Sequence, residues 1–157
     1  MTTDATTPCP VGRALDLVGD RWSLLIVREA FDGVRRFSDF QRRLGMSRSM
    51  LSQRLQALLE ADVLTQQPLG EGRSYQEYVL TERGRALFPL VVALRQWGEA
   101  FLFAPGEPRS VLQADSDGLP LAPMQPRDQR GQVVEGADTR VMKPCHPDFA
   151  RVAVSQM

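Results

Sequence analysis

Histidine, lysine and cysteine are nearly missing from this chain. The one histidine, His146, lies close to the C-terminus. There is no glycine-rich phosphate loop and no Gly-x-Ser-x-Gly elbow, and no Asp/Glu pair falls in an evident pocket motif, so catalysis is not expected. Two cysteines, Cys9 and Cys145, are too few to staple a secreted domain. Cys145 beside His146 has no second pair at zinc-site spacing, so neither a metal nor a cofactor is expected. The longest apolar run, over residues 87–94, contains Pro89 and is far too short to cross a membrane. The opening MTTDATTPCP has neither the basic nor the apolar stretch of a secretory signal, which makes the cytoplasm the expected compartment. Net charge is missing too: 19 acids balance 19 bases. No global basic excess points to nucleic acid, and any such signal has to come from distribution.

The distribution is uneven. Residues 35–54 hold six arginines (Arg35, Arg36, Arg42, Arg43, Arg48, Arg54) against one acid, Asp39. Lys143 is the only lysine in the chain. Arginine's planar fork matches phosphates and base edges better than an ammonium does. The bland alternative is a solvated arginine face, so the elements that carry these residues decide between the two.

With 157 residues there is room for one domain with a core, or a small domain plus an appendage. Residues 1–8 read as a flexible arm. Pro10 suits a first helical position, and Val11, Ala14, Leu15 and Val18 follow at helical spacing until Gly19. Asp20 is a good N-cap for the next helix, with Trp22, Leu25, Ile26 and Ala30 on one stripe and Gly33 after its end. Ser38 is expected to cap a short helix over residues 39–44, Gly45 to follow it in a left-handed turn, and Ser47 to cap a longer helix over residues 48–61. Two helices joined this closely make a helix-turn-helix. Residues 64–69 and 75–80 then read as two strands around Gly70, Glu71 and Gly72, a hairpin wing whose first strand Pro68 confines to an edge. Thr81 is expected to cap one long helix to Phe103. Composition changes after that, with seven of the 11 prolines in the last 54 residues. Turn signals at residues 115–118 and 128–131 suggest a small β appendage over residues 104–157. The fold class is mainly α with a small β wing, and residues 9–103 form the winged helix-turn-helix unit.

With Leu55 at the centre of the buried face, Leu51, Leu58 and Leu59 fall within about 60° of it at 100° per residue. The opposite face shows Ser49, Met50 and Gln53, flanked by Arg54, with no acid before Glu60. In a major groove, Ser49 bonds a base edge or phosphate, Gln53 suits adenine, Arg54 suits guanine or phosphate, and Met50 covers a thymine methyl. Ser47 and Arg48 open the helix, where free N–H groups favour a phosphate. Ser38, Arg42 and Arg43 would meet the backbone, and Arg73 at the hairpin tip would reach the minor groove. The expected partner is double-stranded DNA. The alternative with the same fold is a winged-helix protein-interaction module without specific DNA binding.

The quoted segments carry a resemblance. "CPVGRALDLVGDRWSLLIVREAF", "RRFSDFQRRLGMSRSMLSQRLQALLEADVL" and "EYVLTERGRAL" contain, in order, a Cys-Pro opening, a Gly-x-x-Trp step, a Leu-Ser-x-Arg-Leu reader and a Tyr-x-Leu-Thr-x-x-Gly junction. Together they make residues 8–103 similar to the HxlR-type winged helix-turn-helix transcriptional regulators, which are related to MarR-type regulators. The resemblance implies a homodimer on a pseudo-palindromic operator, joined through the N-terminal helix and the helix of residues 81–103, with repression as its family-level mode. Leu94, Trp97 and Phe101 become candidates for the dimer interface. With Trp22 and Phe31 they are also candidates to line a small-molecule pocket, although aromatics at helical spacing are more often core. Some family members sense electrophiles or oxidants through an N-terminal cysteine, and Cys9 occupies that place. A helix N-terminus favours a thiolate in general, while a packed apolar thiol is the competing reading. Two positions depart from the family pattern: Met50 stands where many relatives carry a polar or basic residue, and Ala61-Asp62-Val63 replaces an acidic-Asp-Gly step.

Overall fold

The structure is a computed structural model that describes residues 9–68 and 76–144. Its elements are α1 (Pro10–Val18), α2 (Arg21–Phe31), α3 (Phe37–Leu44), α4 (Arg48–Glu60), β1 (Leu64–Pro68), β2 (Gln76–Leu80), α5 (Glu82–Arg85) and α6 (Phe88–Phe101). The chain divides between Arg95 and Gln96 into two compact units.

Capping chemistry sets the helix starts of the first unit. Cys9 precedes α1, with its Sγ accepting the Gly12 N–H at 3.4 Å and Pro10 at the first helical position. Asp20 caps α2 by accepting the N–H groups of Trp22 and Ser23, each at 3.0 Å. Ser47 caps α4 through the Met50 N–H at 3.3 Å. Between α3 and α4, Gly45 takes φ +63°, a left-handed conformation that lets the chain reverse without a Cβ clash.

Two expectations about helix ends are corrected. Ser38 is not a cap. α3 begins at Phe37, its N-cap is Arg36 with no side-chain cap bond, and Ser38 lies exposed in the first turn. Val34, buried just before, draws the chain inward, so that the Arg36 carbonyl already accepts the N–H groups of Asp39 and Phe40 at 3.0 and 3.1 Å. The long helix from Thr81 to Phe103 is two helices. Thr81 caps α5 through the Gly84 N–H at 3.0 Å, but α5 stops at Arg85. Pro89 has no N–H to give the Arg85 carbonyl, and its ring crowds that carbonyl, so the helix restarts at Phe88 with proline in its first turn.

The core joins the helix-turn-helix to the wing. Leu51, Leu55 and Leu58 of α4 are buried with Ile26 and Val27 of α2, Phe40 of α3, Met46, and Val63, Leu64 and Leu80 around the hairpin. On α2 the expected stripe is only partly right: Ile26 is buried, whereas Trp22, Leu25 and Ala30 are half-buried. α2 meets α1, α3, α4 and β2, so apolar neighbours reach it from several sides. The wing is antiparallel, with Leu64 opposite Leu80 and Pro68 opposite Gln76. The Arg35 carbonyl accepts the Tyr78 N–H at 2.8 Å, which ties the segment before α3 to β2. The expected turn residues Gly70, Glu71 and Gly72 lie outside the described residues.

The junction "YVLTERG" has a clear physical basis. Val63 stacks its carbonyl against Gly84, where an added Cβ would lie 2.1 Å from that oxygen. The Thr81 N–H donates to the same carbonyl at 3.1 Å, and the Thr81 hydroxyl donates to the Asp62 carbonyl at 2.6 Å. The left-handed residue of this turn is Asp62, at φ +55°. Aspartate tolerates that conformation, so valine can follow it and be buried.

In the second unit no described residue is buried. Residues 96–144 hold the end of α6, isolated bridges Gln113–Pro120 and Arg127–Val133, and a 3-10 turn at Gly136–Asp138. The expected turns are present, with Gly118 and Gly131 at φ +70° and +81°. The anticipated hairpins reduce to these single bridges.

Candidate nucleic-acid interface

The reader surface begins at the Ser47 cap, where α4 leaves its first N–H groups unpaired within the helix. Ser49, Met50, Gln53, Gln56 and Ala57 are exposed on the side of α4 away from the leucines. The Oγ atoms of Ser47 and Ser49 stand 3.3 Å apart, and Gln56 donates to Glu60 at 2.9 Å. Met50 is 40% exposed in spite of its apolar side chain.

The arginines are organised in a way the sequence did not reveal. Arg42 pairs with Asp39 at 2.6 Å, one turn away on α3. Arg43 reaches Glu29 on α2 at 3.3 Å, and Arg28 pairs with the same carboxylate. Arg35 stands 3.6 Å from Glu77 on β2. Arg54, a helix turn beyond Met50, has its Nε 3.5 Å from Asp20 Oδ1. Arg48 lies over the Phe37 ring at 5.6 Å. Arg36 is exposed. Much of the local positive excess is therefore answered by Asp20, Glu29 and Glu77, acids far away in the chain. Local periodicity carries no signal for such pairings.

The Asp20 carboxyl has a displaced titration. Burial pushes it up. The Ser23 hydroxyl and N–H, the Arg54 guanidinium and the Trp22 N–H outweigh that and hold it below the usual carboxylate value.

The remaining expected residues fall as follows. Cys9 is exposed. Trp22 is half-buried against the core, with Arg21 stacked 5.0 Å from its ring. Phe31 packs edge-on against Phe88, with ring centroids 5.1 Å apart. Leu94 is exposed on α6, and Trp97 and Phe101, 5.8 Å apart, are 56% and 71% exposed. Arg73, Cys145 and His146 lie outside the described residues. Among the described residues no group of His, Cys, Asp and Glu is arranged to hold a metal ion, and no helix is long and apolar enough to cross a membrane.

Two helices meeting at a left-handed glycine, the second with a polar outer face, followed by an antiparallel hairpin, define a winged helix-turn-helix protein of the DNA-binding regulator class. The chain belongs to the HxlR-like helix-turn-helix family, whose sequence profile matches residues 17–105. It is 51% identical over 98 residues to Rv3095 of Mycobacterium tuberculosis, an uncharacterised HTH-type transcriptional regulator; the match spans 62% of this chain and 62% of that relative. It resembles the crystal structure of PA1607, a protein assigned as a transcription factor, with 47% identity, a TM-score of 0.83, and coverage of 88% of this chain and 96% of that one. That coverage runs well past the family match and into the second unit. The redox regulator HypR in its oxidised form is 32% identical with a TM-score of 0.54, over 59% of this chain and 96% of HypR. The chain thus has the helix-turn-helix fold of a family whose members named here are transcriptional regulators.

Proposed function

We propose that the protein is a homodimeric, sequence-specific DNA-binding repressor whose α4 enters the major groove of a pseudo-palindromic operator. The observation that carries this reading is the outer face of α4: Ser49, Met50 and Gln53 are exposed beyond a serine-capped N-terminus while Leu51, Leu55 and Leu58 hold the opposite side in the core. In this reading Ser47, Arg48, Ser49, Met50, Gln53 and Arg54 face DNA from α4. Ser38, Arg42 and Arg43 meet its backbone from α3, and Arg73 approaches from the wing.

The dimer reading rests on apolar side chains left exposed. Val11 and Leu15 sit one turn apart on α1, and Leu90, Leu94, Trp97 and Phe101 follow one another along α6 at intervals of four, three and four. That spacing forms a continuous helical seam of the kind a second helix covers. The release signal we assign to oxidant or electrophile at Cys9, which is exposed at the start of α1; the kinship with a redox regulator supports this. A small-molecule effector is the alternative trigger.

A second reading has one observation in its favour. Four of the six arginines between residues 35 and 54 are ion-paired within the chain, which a protein-binding winged helix would tolerate. Fluorescence anisotropy with the DNA upstream of its own gene, at two salt concentrations, separates the two. Affinity falling steeply with salt supports the DNA reading, because counterion release scales with phosphates contacted. Binding lost on quinone or peroxide treatment, and retained by Cys9→Ser, supports the thiol switch. No binding at either salt removes the repressor.

A further inference from the structure

Two carboxylates on α2 do more than capping or burial requires. At one end, Asp20 Oδ1 accepts the Trp22 and Ser23 N–H groups at 3.0 Å, Oδ2 takes the Ser23 hydroxyl, and Arg54 of α4 lies 3.5 Å from Oδ1. Near the other end, the Glu29 side chain is 7% exposed; one of its oxygens is taken by Arg28 and the other by Arg43 of α3 at 3.3 Å. A cap needs only an acceptor, and asparagine or serine serves as well. A buried site beside α3 is occupied at lower desolvation cost by an apolar residue. Neither explanation accounts for a charge at each end of one helix, each facing an arginine from a different helix of the reader.

A guanidinium has five N–H donors in one plane. Engaging one edge with a carboxylate fixes where the opposite edge points, and lowers the charge available to a phosphate. We propose that Asp20 and Glu29 are positioning residues of the DNA site: they orient Arg54 and Arg43 toward operator DNA and restrain both from phosphates of unrelated DNA. This rests on the DNA-binding reading above. On the operator Arg54 meets a base edge or phosphate and Arg43 a backbone phosphate in fixed register, whereas unrelated DNA offers both only phosphates in any register, so loss of the carboxylate charge strengthens that unspecific attraction and costs discrimination. A purely structural role has the opposite signature, weaker binding to every duplex.

The test uses the full-length chain, a duplex selected from a random pool by the wild-type protein, and a scrambled duplex of the same composition. Asp20→Asn keeps the cap and removes the charge; Glu29→Gln does the same for the buried pair. Across 50 to 200 mM salt, each variant is expected to bind the scrambled duplex about threefold more tightly, with a salt slope steeper by up to about one phosphate. The ratio of specific to non-specific affinity is expected to fall roughly five- to tenfold. The effect of Asp20→Asn should vanish in an Arg54→Gln background, and that of Glu29→Gln in an Arg43→Gln background. Should Glu29→Gln not fold, Asp20→Asn decides the matter, since the Asp20 side chain is far less buried, at 30% exposed. Unchanged slope and ratio, or equal weakening on both duplexes, overturns the positioning role and leaves the DNA reading intact. A wild-type chain that selects no duplex overturns the DNA reading and the positioning role with it.

Discussion

Residues 9–95 and residues 96–144 are both compact, but they are built on different principles. The first unit encloses a contiguous core in which Ile26, Val27, Phe40 and Leu51 have no solvent exposure. The second, over its described residues, has no buried side chain, and leaves Leu119 61% and Val141 90% exposed. Its order comes from turns and from hydrogen bonds between side chains and the main chain. The Gln96 amide donates to the Ala122 carbonyl at 2.9 Å and accepts the Met124 N–H at 2.7 Å, while bridged turns close around left-handed Gly118 and Gly131. Burial contributes roughly 1.5–3 kcal/mol per large apolar side chain, and a hydrogen bond exchanged with water about 1 kcal/mol. Stability should therefore be concentrated in the reader unit.

The strongest way to break this contrast is to truncate an apolar residue in each unit. Phe40 is fully buried and meets Tyr78 edge-on at 6.3 Å, so Phe40→Ala should cost about 3–5 kcal/mol in urea unfolding. Val141→Ala should fall within about 0.5 kcal/mol of wild type. Comparable losses at the two positions would mean that the second unit has a core supplied by a partner.

Gly84→Ala comes next. Its new methyl would meet the Val63 carbonyl at 2.1 Å and a Leu80 methyl at 2.9 Å, and the carbonyl is backbone that cannot turn aside. Separating α5 from the wing should cost about 2–3 kcal/mol, read as a lower melting temperature with unchanged helical content at 20 °C. A neutral result would show that α5 does not lock the wing.

These two positions also mark how far the sequence could be read. What depends on neighbours in the chain was legible: Pro10 at the first position of α1, the caps Asp20, Ser47 and Thr81, the left-handed Gly45, the leucine face of α4 and the strand pairing after it. The break before α6 was concealed, although Pro89 was visible. Leu87, Leu90, Val91 and Leu94 keep a helical period across it, and the Leu87 N–H still turns back to the Gly84 carbonyl at 3.1 Å. The Ser38 cap failed because burial of Val34 determined where α3 begins, and burial is a tertiary fact. The arginine cluster was legible as composition but not as electrostatics, because Glu29 and Asp20 reach it only once α2 is packed against α3 and α4. The reason for the Thr-x-x-Gly junction likewise lies in one carbonyl, that of Val63, brought in from the other side of the wing.

A smaller effect sharpens the account of the second unit. Gln96→Ala removes two hydrogen bonds at an exposed site, so about 1 kcal/mol or less is expected, confined to its own surroundings. Hydrogen exchange at the Met124 amide should quicken while the amides of Leu55 and Leu58 keep their protection. Loss of protection at both would mean that the two units unfold as one.

The smallest expected effect lies in acid, at Asp20. Its folded carboxyl titrates below the ordinary value near 3.9, so the folded state takes up that proton less readily than the unfolded chain does. The stabilisation it supplies is complete above that value. It shrinks as pH falls below about 4 and is gone once pH passes below the lowered folded value. Asp20→Asn keeps the cap but has no proton to gain. The stability difference between wild type and variant should accordingly stay level from neutral pH to about pH 5 and narrow below it. Two opposing causes make the direction informative. Burial alone would raise the carboxyl, and the wild type would then gain on the variant in acid; the bonds from Ser23, Arg54 and Trp22 act the other way. A gap that widened below pH 4 would show that desolvation wins at this site, and that the Asp20 contact is too weak to orient Arg54.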